Sequence, residues 1–237
     1  MANVKKSKNL LLLCVCFSVL GFVILFSLLT QSAAFQVNFP NSNFLVGILY
    51  SIVCILGVTA VFKPKKCQRL FALKEQDVFQ RCELIKGSES LVKGHHPNCG
   101  KYEGNRIKIH GFVLCSACAG LFVGAIFALV GTAVWFFFKV PLLVADLRFL
   151  LFGGGVMLLG LGQFVFRGYL KLAVNALFVV GSFVTLVTAD LVGKSFAIDL
   201  YAIGLIVFML LMRILISEWN NRRVCVECEG SRFGHGV

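Results

Sequence analysis

Six stretches of this chain are almost continuously apolar, and each approaches the length of a membrane-crossing helix. A helix needs about 20 mainly apolar residues to cross roughly 30 Å of hydrocarbon. None of the six alternates polar and apolar positions as a membrane β-barrel strand does, so a helical bundle is the structure that satisfies the backbone in lipid. The sequence therefore predicts an all-α polytopic membrane protein with six transmembrane helices, over residues 10–30, 44–62, 112–138, 149–166, 172–192 and 200–216.

The apolar stretches divide the chain into four parts. These are a transmembrane hairpin (1–62), a juxtamembrane segment rich in Cys and His (63–110), a four-helix transmembrane region (111–216) and a tail (217–237). In the second part, apolar residues at helical spacing predict an amphipathic helix on the membrane surface or on the bundle itself. They are Phe71, Val78, Cys82 and Ile85. A cleaved signal peptide is the alternative for the first helix, because lysines precede it and small residues follow it at 32–34.

Composition and charge agree with a membrane protein and orient it. The chain has 237 residues, of which 58% are hydrophobic and only 14% charged, and its net charge is +12. With the N-terminus in the cytosol, all but Lys139, Arg148 and Lys194 of the 23 basic residues fall in cytosolic segments. The positive-inside rule therefore predicts an integral protein of the cell membrane with both termini cytosolic. It explains the basicity without a nucleic-acid partner, since no stacking pattern of aromatic residues accompanies the charge.

Two ligand-like pairs stand at the boundary of the third apolar stretch. His96 and Cys99 form the first pair, and after fifteen further residues Cys115 and Cys118 form the second. Structural zinc commonly takes two such pairs, because each short knuckle presents two ligands to one tetrahedron. The cytosol disfavours disulfides, so these cysteines are interpreted first as metal ligands or redox thiols. The sequence predicts a zinc site here, with His95 and His110 as spare ligands.

A third pair, Cys225 and Cys228, follows the last apolar stretch on the same side. It offers two alternatives: a four-cysteine site shared with Cys115 and Cys118, or a separate half-site. Spacing alone does not choose among these and the local His/Cys₃ site. The remaining cysteines inside apolar helices are expected to be buried as small hydrophobic residues. They are Cys14, Cys16 and Cys54.

The segment "HPNC" followed by "LCSACAGLFVGAIFAL" resembles a group of uncharacterised prokaryotic membrane proteins, frequent in archaea. Those proteins carry a His-Pro-x-Cys element and a Cys-Ala-x-Cys-x-Gly-Leu start to a helix. The resemblance covers residues 95–129. It implies a metal-binding membrane protein and brings no established activity. In that group a further histidine stands between the two ligand pairs, where this chain has Asn105.

The helices themselves carry little chemistry. Ionisable residues inside a bilayer usually mark transport or proton paths. Here the aspartates at 146, 190 and 199 are expected to form a solvated outer rim, and binding of a cation or a partner is the alternative for them. Gln163 and Asn175 are expected to form interhelical hydrogen bonds. No Walker, dinucleotide, serine-hydrolase or zinc-protease signature is present, so no catalytic residue is predicted.

Two functions follow from these features. The first is a zinc-stabilised, non-enzymatic scaffold or accessory subunit that presents a basic cytosolic face to an anionic lipid or a protein partner. The second is a membrane thiol-redox or metal-handling protein that uses the cytosolic cysteine pairs.

Overall fold

The described part of the chain is helical throughout its apolar stretches, with one short hairpin. The computed structural model describes residues 2–31, 41–62, 106–109, 112–140 and 146–233. Strands β1 (Arg106–Ile109) and β2 (Phe112–Cys115) pair antiparallel, with Arg106 opposite Cys115. The helices are α1 (Ala2–Thr30), α2 (Ser42–Phe62), α3 (Ser116–Thr132), α4 (Leu147–Leu161), α5 (Gly168–Gly193) and α6 (Phe196–Phe233). The predicted amphipathic helix lies outside the described residues.

Five of the six helices are long and apolar enough to cross a membrane, which indicates an integral membrane protein. The exception is α4, whose 15 residues extend only about 22 Å at 1.5 Å per residue. All six predicted apolar stretches therefore have a helical counterpart, but α4 is shorter than the hydrocarbon core.

Several helix boundaries differ from the prediction: α1 begins at Ala2 rather than at residue 10, and α4 ends at Leu161 rather than at residue 166. Two further differences have a reason in the sequence. The third helix begins at Ser116, because the four residues before it form β2 and pair with β1, in which two β-branched isoleucines alternate with basic residues. The last helix does not end near residue 216 but continues to Phe233. No proline follows Ser217, and the first glycine is Gly230, so nothing in the tail sequence breaks the helix earlier.

Helix α5 is the centre of the bundle. Its apolar span is 67% buried, against 22% for α1 and α2, and α3 and α4 pack along it most extensively. Hydrogen bonds add to this packing: the Tyr50 hydroxyl of α2 lies 2.7 Å from the Ser182 hydroxyl of α5. The Tyr201 hydroxyl of α6 donates to the Gly21 carbonyl of α1 at 3.1 Å. Large apolar side chains remain exposed around the outside, as expected where a bundle meets lipid.

Glycines allow close packing on α5 along α3 and along part of α4. A Cβ atom built at Gly120 would collide with the Leu172 carbonyl oxygen and lie 2.9 Å from the Asn175 Cβ, both on α5. On α4, a Cβ at Gly153 would lie 2.8 Å from the Gly181 carbonyl oxygen. Gly155 differs, because a Cβ there would meet nothing within 4 Å. Contacts with α5 therefore require glycine at some of these positions and not at all of them.

Replacing Gly120 by alanine is expected to destabilise the protein by about 1–3 kcal/mol, the usual cost of overpacking a tight interface. The Leu172 backbone cannot move aside as a flexible side chain can. The unfolding temperature of the purified protein in detergent measures the effect, and Gly155→Ala is the matched control on a helix with open space. Equal unfolding temperatures for the two variants would contradict the packing of α3 on α5.

The cysteines of the first two helices divide into two groups. Cys14 and Cys54 are buried in the bundle, as predicted. Cys16 is exposed, so the prediction that it is buried was wrong. It lies two residues from Cys14 on α1, and that spacing places the two side chains on different faces of a helix.

Candidate functional site

Cys115 and Cys118 lie where the hairpin joins the third helix. Cys115 ends β2 and caps α3 with an extended backbone (φ −68°, ψ 124°), and Cys118 follows in the first turn. Cys115 is buried with 2% of its surface exposed, and Cys118 is half-buried. Residues three apart are neighbours on a helix surface. The predicted position of this pair at the start of the third helix is therefore confirmed.

Two buried cations lie beside these thiols. Lys171 in the first turn of α5 and Arg213 on α6 are each only 5% exposed. Both interact electrostatically with both Cys115 and Cys118. We call this group of four residues the thiol end of the bundle. The hairpin, α3, α5 and α6 together bring it into one place.

Neutral amides fix the Arg213 guanidinium. One terminal nitrogen, Nη2, donates to Gln163 Oε1 at 2.8 Å and also to Asn175 Oδ1. The guanidinium carbon lies 5.5 Å from the centroid of the Phe178 ring, within the range of a cation–π contact. Asn175 in turn donates to the Lys171 carbonyl oxygen at 2.5 Å. The predicted interhelical hydrogen bonds of Gln163 and Asn175 are confirmed, and Arg213 is their shared partner.

Two buried polar atoms at the thiol end lack a hydrogen-bond partner among the described residues. Burying a cation is costly unless an anion or sufficient hydrogen bonds compensate it. The amide oxygens that accept hydrogen bonds from Arg213 are uncharged, and its Nε finds no hydrogen-bond partner within the described ranges. The buried Ser116 hydroxyl, between the two cysteines, also lacks one there. Among the described residues, Cys115 and Cys118 interact electrostatically with both cations, and in the thiolate form they would supply negative charge to this site.

The donor set at this end fits half of a thiolate zinc site. Two cysteines with two residues between them, at the start of a helix and beside positive charge, are a common zinc knuckle. Tetrahedral zinc needs two further ligands. Within the ranges that the structure describes, no group of three or more His, Cys, Asp or Glu side chains converges. The other predicted ligands of the local site, His96 and Cys99, and the spare histidines His95 and His110 lie outside those ranges.

The third cysteine pair lies on the far part of α6. At a rise of 1.5 Å per residue, the helix carries Cys225 about 18 Å beyond Arg213 along its axis. Cys228 lies one turn further on. Because Arg213 is beside Cys115 and Cys118, a continuous α6 leads the third pair away from them.

A second polar group lies at the opposite end of α5, which we call the carboxylate end. It contains Asp190 near the end of α5 and Asp199 in the first turn of α6. Asp190 lies about 28 Å from Lys171 along the axis of α5. The two carboxylates interact electrostatically with each other. The Trp135 indole donates to Asp190 Oδ2 at 2.9 Å. A cavity of ≈ 370 Å³ opens between α2, the turn after α3, and the α5–α6 connection.

The expectation of a solvated aspartate rim was wrong for Asp199. Its surface is only 2% exposed, and its Oδ1 atom has no hydrogen-bond partner among the described residues. The α5–α6 connection turns so tightly, through Lys194 in the left-handed conformation (φ 43°), that Asp199 is enclosed. Asp146 does match the expectation: it is partly exposed, caps α4 by accepting a hydrogen bond from the Arg148 backbone N–H, and forms an ion pair with Arg148 at 3.7 Å.

The sequence patterns did not identify three members of the two polar groups: Lys171, Arg213 and Trp135. A signal for Lys171 was available, because Lys171, Asn175 and Phe178 recur at spacings of four and three and so share one face of α5. No comparable pattern marks Trp135, which a π-helical turn at Ala133–Phe137 brings to Asp190.

Comparison of the chain with protein-family models, with curated proteins and with solved structures gives no match. Its function must therefore be inferred from the chemistry of its two polar ends.

Proposed function

We propose that this chain is a zinc-stabilised integral membrane protein that acts as a scaffold or accessory subunit. Cys115 and Cys118 hold the zinc together with His96 and Cys99 from the preceding segment. One observation carries the proposal: the two thiols, spaced as a zinc knuckle, share the neighbourhood of two buried cations. A His/Cys₃ zinc site has a net charge of −1, since three thiolates outweigh one Zn²⁺. Lys171 and Arg213 are placed to compensate that charge.

The local site is preferred over a four-cysteine site. Zinc–sulfur bonds are about 2.3 Å long, so four ligating cysteines must converge closely. The third pair would have to return over about 18 Å of helix to join Cys115 and Cys118. His96 and Cys99 precede the hairpin by ten and seven residues, and Arg106, the first residue of that hairpin, lies opposite Cys115.

The same proposal includes six membrane passages, a cytosolic thiol end and both termini in the cytosol. The distribution of Lys and Arg supports this orientation. It gives the protein a strongly basic cytosolic face, built mainly from residues 63–108. Such a face suits an anionic lipid surface or an acidic protein partner. The metal then has a structural role, because it fastens this basic segment to α3.

A thiol-redox or metal-handling function is the second candidate, and one observation favours it. Cys118 is half-buried rather than sealed, and it lies at a helix N-terminus next to two cations. Both features favour a reactive thiolate. The two candidates differ in whether the cysteines are occupied by metal or free to react.

Metal analysis and thiol titration on the same purified sample separate the two functions. We expect about one zinc per chain, and thiols at the site that alkylate only after a chelator removes the metal. Cys99→Ser is expected to lose the zinc, and Cys225→Ser is expected to keep it. Cys16→Ser, an exposed position on α1, controls for the loss of any thiol.

Three results would decide against this proposal. A metal-free protein with a reversible dithiol would establish the redox function instead. Zinc that is lost in Cys225→Ser but kept in Cys99→Ser would establish the four-cysteine site. Zinc that exchanges rapidly with free metal would favour metal handling over a structural role.

A further inference from the structure

The cavity at the carboxylate end has the volume and the polar lining of a small-molecule site rather than those of a packing gap. Its volume of ≈ 370 Å³ lies within the usual range for small-molecule sites, about 300–1,000 Å³. It is lined by residues from separate elements, including Asn43 at the start of α2, Trp135 after α3, and Asp190 and Asp199 on α5 and α6. Four parts of the fold thus converge on one concave site.

An unpaired carboxylate oxygen in this site points to a missing partner. Asp199 is 2% exposed, and its Oδ1 atom accepts no hydrogen bond from any described residue. Buried polar atoms are nearly always paired, so each exception requires an explanation. Three side-chain atoms of this kind occur in the described part of the chain, and the other two lie at the thiol end. Asp199 also lines the cavity, so a ligand that enters the cavity can approach its carboxylate and supply the missing donor.

The charges of the site select a cation. Asp190 and Asp199 lie close enough to interact electrostatically, and in a low-dielectric environment two carboxylates repel strongly. A donor bearing positive charge between them removes that repulsion and satisfies the free oxygen. Lys194 also lines the cavity, but it is exposed, so its charge is largely directed to solvent.

We propose that this cavity binds a small organic ammonium ion, with Asp199 as its principal anion and Trp135 as an aromatic wall. An ammonium group offers N–H donors to carboxylates and a positive charge to an indole face. A bare metal ion fits less well, because no three acidic, His or Cys side chains converge here among the described residues. The volume also exceeds the roughly 30 Å³ share of one water many times over, which leaves room for an alkyl group.

Trp135 provides a direct probe of binding. The chain has only two tryptophans, so Trp219→Phe leaves Trp135 as the sole indole. We expect n-butylammonium to change its fluorescence in a saturable manner in the full-length protein in detergent. The neutral isostere n-butanol is the matched control, since it has the same alkyl group without the charge. An equal response to both ligands would overturn the proposal, as would saturable binding of Ca²⁺ with none of the ammonium.

Charge variants on either side of the cavity give opposite expected shifts. Asp199→Asn, nearly isosteric, should weaken n-butylammonium binding at least about tenfold, the range seen when one partner of a buried charged pair is lost. Asp146→Asn, an aspartate outside the cavity, should leave binding unchanged. Lys194→Gln, at an exposed position that does not threaten folding, should tighten binding about two- to fivefold, as expected for one exposed charge. Unchanged affinity in both Asp199→Asn and Lys194→Gln would rule out an ammonium site here.

Discussion

Replacing Arg213 by alanine is expected to lower the unfolding free energy by about 3–5 kcal/mol, as for other buried charged groups that lose a partner. In a protein of this size that corresponds to a fall of roughly 6–20 °C in unfolding temperature. The side chain is buried, and its guanidinium joins Gln163, Asn175 and the Phe178 ring. Its removal leaves two buried amide oxygens without their donor and a void beside the ring. It also leaves Cys115 and Cys118 with one nearby cation instead of two.

Arg213→Lys separates charge from geometry. Lysine keeps the positive charge but lacks the planar fork that reaches two amides at once. We therefore expect an intermediate loss of stability. Arg167→Ala is the matched control, since that arginine lies at the same end of α5 but is exposed. Thermal unfolding in detergent measures all three variants, and a loss in Arg167→Ala equal to that in Arg213→Ala would contradict the role of the buried network.

Replacing Cys115 by serine is expected to have the larger effect, because zinc binding energy at a structural site is folding energy. The variant should lose its zinc and unfold at a markedly lower temperature than the wild type. Serine is nearly the size of cysteine, so a loss from packing alone should be small. Cys16→Ser, at an exposed position on α1, should keep both the zinc and the stability.

A chelator tests whether metal loss is the cause. Removal of zinc from the wild type should bring its unfolding temperature down to that of Cys115→Ser, and the chelator should have no further effect on the variant. If the chelator destabilises both proteins equally, Cys115 does not hold the metal. If Cys115→Ser is destabilised while its zinc remains, the residue acts through packing.

Hydrophobic periodicity was sufficient to locate the helices of this protein and insufficient to locate their polar contacts. Each apolar stretch has a helical counterpart, because burial in lipid leaves the backbone few alternatives. The β2 strand was taken for helix, since a short apolar run does not distinguish the two structures, although only two residues separate it from its partner β1. The length of α6 was also underestimated, because a polar composition alone does not end a helix.

The two polar ends illustrate a further limit. Cys115 and Cys118 could be predicted as a pair from their spacing alone, since both residues lie within one turn. Lys171 and Arg213 could not be assigned to them, because that proximity arises only when α5 and α6 pack side by side. In the same way, Asp199 was assigned to a solvated rim, and only the tight connection at Lys194 encloses it.

That tight connection also makes α5 and α6 an electrically asymmetric hairpin. Two acids, Asp190 and Asp199, meet at its closed end, and two bases, Lys171 and Arg213, meet about 28 Å away along α5. Like charges are thus gathered at each end and opposite charges are held apart across the thickness of a bilayer. Across a membrane with a negative interior, each elementary charge is worth about 2.3 kcal/mol per 100 mV. For the charges of α5 and α6 taken by themselves, a negative interior would favour the orientation with the two bases inward, which is also the orientation that the basic loops predict.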